Sequence, residues 1–275
     1  MELIEYLIEE CKKKTGAYEA RPFGEYPICY KVMGKIFAQI TPKENRNKMT
    51  VKCTPERGQE YRMMYPDIVV RGYHCPPVQQ PYNNTIDLDK LTDRVVLSQM
   101  IDESYDAVVT KLTRKDKQRL QGMADLEFIY TDGENADFAL LCKKLDNALD
   151  ELVGAKFQRQ QYDQYNQRDS IHDVIIVYQN KQPVACGSFK MYDDEHAELK
   201  RIYTDDSVRR IGVGMELVRR LEAEAKMKGY SYCILETGEP LKAAIQMYQK
   251  LGYKVIENYG QYVDMPDSIC MQRKI

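Results

Sequence analysis

Residues 209–214 read Arg-Arg-Ile-Gly-Val-Gly, a basic turn between a strand-like run at 197–204 and an amphipathic run at 215–228. Such a turn is suited to anion chemistry. A loop that ends a strand and opens a helix leaves several backbone N–H groups unpaired at the positive end of the helix dipole. Gly212 and Gly214 carry no Cβ to hold a pyrophosphate off the backbone, and Arg209 and Arg210 add charge. Two common phosphate loops fail on residue identity. Met215 and Glu216 follow Gly214 where a P-loop needs Lys and Ser or Thr, and Leu217 stands where a dinucleotide fingerprint needs its third glycine. The alternative reading is an ordinary strand-to-helix turn.

Other chemistries find less support. The three histidines, His74, His172 and His196, have no second ligand at helical spacing, so no metal site is expected. The eight cysteines form no Cys-x-x-Cys pair, and several fall in apolar runs where a reduced thiol packs as a small hydrophobe. That usage suits a cytoplasmic protein. Lys and Arg total 40 against 42 acidic residues, divided as 20 against 17 up to Gly122 and 20 against 25 after it, so neither half has the charge of a nucleic-acid binder. The N-terminus is acidic and no apolar run approaches the ~18 residues of a membrane span. No membrane is expected.

Stepping along the chain, residues 1–14 place apolar side chains at Leu3, Ile4, Leu7, Ile8 and Cys11, an amphipathic helix. Residues 28–40 read as two strands about Met33-Gly34-Lys35, and 49–53 as another. Pro55 opens a helix that Pro66 ends. Residues 69–73 and 85–88 are extended, and 97–112 form a second long helix. The charged stretch 113–122 holds little that could enter a core, and the boundary between two domains, 1–118 and 123–275, is placed there. In the second domain a strand at 126–131 precedes a helix at 138–152. The tyrosine-rich run 157–168 reads as a loop with a short helix. Residues 174–179 and 184–192 form an antiparallel pair turning at Asn180-Lys181, and 197–204 add a third strand. After the basic turn and its helix come a strand at 230–236, a helix ending at Gly252, and a closing hairpin of 253–256 with 268–273.

The first domain resembles the MmcQ/YjbR family of small CyaY-like domains. The likeness rests on Phe23-Gly24, the run 30–38 (Tyr-Lys-Val-Met-Gly-Lys-Ile-Phe-Ala), 52–56 (Lys-Cys-Thr-Pro-Glu) and Asp102-Glu103-Ser104-Tyr105, although the tryptophan usual in that family near residues 82–86 is absent. It implies an antiparallel sheet with helices, and a docking or DNA-binding role. The second domain resembles the GNAT superfamily of N-acetyltransferases at four separate places: 197–203 (Ala-Glu-Leu-Lys-Arg-Ile-Tyr), the turn 209–214, 235–238 (Leu-Glu-Thr-Gly) and 244–253 (Ala-Ile-Gln-Met-Tyr-Gln-Lys-Leu-Gly-Tyr). That likeness implies a mixed, mostly antiparallel sheet in an α+β fold, with acetyl-CoA as cosubstrate.

The reaction so implied is attack of an amine on a thioester, which needs a proton acceptor, a stabilised oxyanion and a protonated leaving thiolate. By resemblance Glu198 is the candidate base, with Glu236 as rival and lining the acceptor site, and Tyr248 the acid that protonates the departing sulfur. Two plainer readings stay open: a solvated Glu198 paired with Lys200 or Arg201, and a Tyr248 that only packs a helix stripe with Leu241, Ala244, Ile245 and Leu251. Backbone amides near Ile202 and Tyr203 would polarise the thioester, while Arg209, Arg210, Ile211, Gly212, Val213 and Gly214 would hold the pyrophosphate. Tyr162, Tyr165, Tyr259, Tyr262 and Asp264 would receive a small cationic amine. A second function class is an acyl-CoA-sensing regulator whose first domain binds DNA or protein. A homodimer, and nucleic-acid contact through the first domain, are left open by the sequence.

Overall fold

The computed structural model describes residues 2–43, 46–72, 75–153 and 171–275. Two compact units divide the chain, Met1–Ala124 and Asp125–Ile275. The expected class holds: both units are α+β, one on an antiparallel sheet and one on a mixed, mostly antiparallel sheet.

In the first unit, α1 (Leu3–Lys12) leads into β1 (Ala17–Ala20), β2 (Ile28–Val32), β3 (Lys35–Thr41), β4 (Lys48–Lys52), α2 (Pro55–Met64), β5 (Val69–Arg71), β6 (Asn83–Asp87), α3 (Arg94–Thr110) and α4 (Arg114–Gly122). The six strands pair in the order β1-β2-β3-β4-β6-β5, all antiparallel. Met33 and Gly34 both adopt positive φ, the backbone of a two-residue hairpin turn, which is why the sequence divides cleanly there. Asp93 caps α3 by accepting from the amides of Val95 and Val96. Leu97, Met100, Ile101 and Ser104 then fall on one buried stripe. Ser104 is the polar member. Its hydroxyl accepts from the Lys52 amide at 2.6 Å and donates to the Phe37 carbonyl at 2.6 Å. The β3–β4 register makes Ala38 the partner of Val51, so Phe37 and Lys52 are the next rung, and the hydroxyl sits inside it.

One reading of the sequence is corrected here. Residues 113–122 are not merely a charged boundary: Thr113 accepts from the Asp116 amide to start α4, and Leu120 is buried, reaching Gly16 so closely that a Cβ there would meet its Cδ1 at 2.6 Å. A single apolar side chain in a helix of nine residues anchors it. Strand β1 and the short 3-10 turn Pro77–Tyr82 carry no local sequence signal, since neither has a period long enough to register.

The second unit runs β7 (Leu126–Thr131), α5 (Ala136–Val153), β8 (Asp173–Gln179), β9 (Gln182–Met191), β10 (His196–Thr204), α6 (Val213–Met227), β11 (Tyr232–Gly238), α7 (Lys242–Leu251), β12 (Lys254–Val255) and β13 (Ser268–Lys274). Its sheet order is β12-β13-β11-β10-β9-β8-β7, and only β10 and β11 pair in parallel. Phe138, Leu141 and Cys142 of α5 pack with Val174, Ile176 and Cys186. Leu217 and Leu221 of α6 lie against Gly187, the next residue of β9. Because strand side chains alternate, α5 and α6 cover opposite faces of the sheet. Tyr162 and Tyr165 lie outside the described residues.

Candidate active site

Strands β10 and β11 pair only at His196 with Tyr232, Ala197 with Cys233 and Glu198 with Ile234. Beyond that rung they part. On its other edge β10 slips register against β9 between Lys200 and Tyr203, with Arg201 at φ 56. A bulge of this kind bends a strand away from its neighbour. The facing edges of residues 199–204 and 235–238 therefore lack each other as ladder partners, and a wedge opens in the middle of the sheet.

Registers decide which side chains meet at its apex. Lys190 is opposite Glu198, Ser188 is opposite both Lys200 and Val174, and Glu236 is opposite Cys270. Glu198, Lys200, Lys190, Glu236 and Cys270 thus share the face that α5 covers further along the sheet. Glu198 is 1% exposed, so it is not a solvated carboxylate. Its Oε1 accepts from the Tyr259 hydroxyl at 3.1 Å, the Tyr262 hydroxyl at 3.2 Å and Lys200 Nζ at 3.4 Å, while Lys190 Nζ stands 3.6 Å from Oε2. Lys200 also donates to the Tyr262 hydroxyl at 2.7 Å. Arg201, the other partner considered for Glu198, pairs instead with Asp146 of α5 at 2.7 Å.

Electrostatics separate the two carboxylates. Burial raises the pKa of Glu236 above the ordinary carboxylate value, and the nearby Glu198 charge adds to this against the Ser268 hydroxyl, which donates at 2.7 Å. Unlike Glu198, Glu236 is only partly buried. Burial lowers the pKa of Lys200, with the Glu198 carboxylate opposing. Burial, and then the Glu198 charge, raise both Tyr259 and Tyr262, which keeps these phenols protonated as donors. Their hydroxyls are committed to Glu198, and Asp264 is exposed, so the phenol-and-carboxylate receptor expected for a cationic amine is not assembled by these three residues. Tyr248 on α7 is 6% exposed, stacks edge-on with Tyr253 at 5.6 Å between centroids, and has its pKa raised first by burial and then by the charge of Glu236. It packs in the core and lies within electrostatic reach of the wedge.

The basic turn shows two separate uses of glycine. Gly212 has φ 95 and is the N-cap of α6, with no side chain capping the first amides of that helix. Only glycine takes that backbone readily. Gly214 serves packing as well: a Cβ there would stand 3.1 Å from Met247 Sδ of α7. Val213 is buried, Ile211 partly so, and Arg210 is exposed. Arg209 is tied to Asp206 through its guanidinium and to the Thr204 carbonyl at 3.1 Å. A cleft of about 700 Å³ lies beside this turn, bounded by Leu145, Ala148 and Leu149 of α5, by Ile202, Tyr203 and Arg209, and by Leu241. Residues 210–214 are not among its walls. The sequence offers Lys200 as a partner of Glu198, and the structure places it there. Lys190, Ser268 and Cys270 are not marked by any local pattern, because their places depend on cross-strand register.

The open parallel rung thus carries a buried cluster of acidic, basic and phenolic groups at its apex. Comparisons with known proteins match each of the two regions. Residues 140–253 match the Acetyltransferase (GNAT) family model, and residues 12–107 match the YjbR model. The chain thus joins a YjbR region to a GNAT region and is an enzyme of the N-acetyltransferase class, for which acetyl-CoA is the cosubstrate. It is 29% identical over 101 residues to the uncharacterized N-acetyltransferase YsnE of Bacillus subtilis, covering 36% of this chain and 67% of that protein. It is 29% identical over 103 residues to an IAA acetyltransferase of Azospirillum brasilense, covering 37% and 67%. The chain spans about two thirds of the length of these relatives. An acetyltransferase structure from Streptococcus agalactiae aligns with a TM-score of 0.44 at 21% identity, covering 55% of this chain and 99% of that one. No described helix is long and apolar enough to cross a membrane.

Proposed function

We propose that the second unit acetylates a small primary amine in the cytoplasm, with the thioester arm of acetyl-CoA entering the wedge between β10 and β11. The opening of the sheet beyond Glu198 and Ile234 is the observation that carries this reading. Unpaired edges there can hydrogen-bond an extended amide-bearing arm as a strand would. The free amides at the start of α6, with Arg209 and Arg210, take the pyrophosphate. Backbone amides near Ile202 and Tyr203 polarise the carbonyl.

An ammonium cannot attack, so the amine must first lose a proton. Glu236 is the better acceptor of the two carboxylates, because it is less enclosed and its raised pKa brings it closer to neutrality. Glu198, clasped by two phenols and a lysine, then holds the apex in register. Nitrogen bonds to the carbonyl carbon, the C–S bond breaks, Tyr248 gives its proton to the leaving thiolate, and the second proton of the acylated nitrogen leaves to return the Tyr248 phenolate to its neutral form. Its raised pKa means that the proton is present at neutral pH. The measurement is release of CoA thiol from acetyl-CoA over a panel of polyamines, amino acids, aminoglycosides and peptides. With any acceptor found, Tyr248→Phe should lower kcat about tenfold or more with CoA affinity retained. No thiol release with any amine, alongside tight CoA binding, would favour a sensor instead.

A further inference from the structure

The first unit contains a cleft of about 740 Å³ that no acetyl-transfer role uses. It lies where β3 and β4 separate past the Ser104 hydroxyl, under the C-terminal end of α3. Four lysines reach it from four different elements: Lys31 of β2, Lys35 at the start of β3, Lys52 at the end of β4 and Lys111 just after α3. Among the described residues the only carboxylate in its wall is Asp116, and that group is already held by Arg119 at 3.2 Å and by the Thr113 hydroxyl at 2.8 Å. Among the described residues Lys35 and Lys52 have no ion-pair partner, and the ammonium of Lys111 rests over the Tyr82 ring at 4.9 Å.

Converging ammonium groups repel one another unless an anion joins them. The rest of the wall mixes apolar side chains with the polar Gln79, Asn83 and Thr113. Ile36, Val108 and Leu112 line it, and two aromatic rings stand open beside it, Phe23 at 62% exposure and Tyr82 at 43%. A bare phosphate would leave that surface unused, whereas a cleft of this size is within the range that encloses a small organic ligand. We propose that this cleft binds a small phosphate-bearing molecule with a flat ring, of the nucleoside monophosphate class, its phosphate held by Lys35, Lys52 and Lys111 and its ring stacked on Phe23 or Tyr82. The backbone from which Lys52 projects is held by the bond between its own amide and the Ser104 hydroxyl.

The test is calorimetric titration of the full chain, kept saturated with CoA so that the second unit is occupied, with the common nucleoside monophosphates and separately with inorganic phosphate. At least one nucleotide should saturate at one site per chain, with phosphate about tenfold weaker or more. The double variant Lys35→Gln, Lys52→Gln should weaken nucleotide about tenfold or more at an unchanged melting temperature, since Lys35 is exposed, Lys52 is only partly buried, and neither has an ion-pair partner among the described residues. Phe23→Ala should weaken nucleotide and leave phosphate unaffected. Silence from every nucleotide and from phosphate overturns the proposal. So does an affinity that the lysine double variant does not change, or a short DNA duplex that binds where no mononucleotide does.

Discussion

Each unit has a place where two neighbouring strands stop pairing, and the two places are finished differently. In the first unit β3 and β4 part at Phe37 and Lys52, and the Ser104 hydroxyl fills the rung, so both backbone groups are satisfied from within. In the second unit β10 and β11 part after Glu198 and Ile234, and among the described residues no side chain hydrogen-bonds the backbone of both strands beyond that rung. A plugged rung preserves a sheet, while an unplugged one is a binding edge. The plug is a single atom from a helix that crosses the strands, and the open rung has charged side chains gathered at its apex. On this comparison the open site should be sensitive to charge and backbone shape, and the plugged one to the loss of one oxygen.

The largest effect is expected at the carboxylates. Glu236→Gln should lower kcat/KM by roughly 10²-fold or more and flatten the acid limb of its pH profile. The sign follows from burial: a base works only when deprotonated, so the rate falls as pH drops through its pKa, and a raised pKa sets that fall above the ordinary carboxylate range. If Glu198→Gln removes the limb and Glu236→Gln keeps it, the two roles are reversed. Next is the helix start. Gly212→Val puts a branched residue at φ 95 and should weaken CoA binding about tenfold or more. Unchanged affinity in a folded variant would detach the turn from the cosubstrate. The smallest effect belongs to the plug: Ser104→Ala should destabilise the first unit by about 1–3 kcal/mol in chemical denaturation, the cost of buried groups left unpaired, with CoA affinity unaltered. A variant as stable as the parent would mean that Phe37 and Lys52 close the rung themselves.

How far the sequence could be read follows the range over which each feature is encoded. The existence of α3, the Asn180-Lys181 turn with both residues at positive φ, and the Gly212 and Gly252 positions at helix ends are set by residues within a few positions of one another, and local pattern exposes them. The element order of the second unit was legible for the same reason. Lys190 beside Glu198, Ser268 beside Glu236 and Tyr259 reaching back to Glu198 are joined only by strand register, and no spacing along the chain announces them. Leu120 shows the same limit at small scale. One leucine in a run of charge reads as solvent-facing until its tertiary neighbour is known.

The clasp of Tyr259 and Tyr262 on Glu198 also has a spectroscopic side. The chain has 21 tyrosines and no tryptophan, so all its near-ultraviolet absorbance and fluorescence above the phenylalanine background come from phenols. Two of those phenols donate to a buried carboxylate at the apex of the wedge, within reach of whatever enters it. Their absorption and emission depend on that hydrogen bond. A tyrosine difference spectrum lost in the Tyr259→Phe, Tyr262→Phe pair would make the site its own optical reporter, with no label attached.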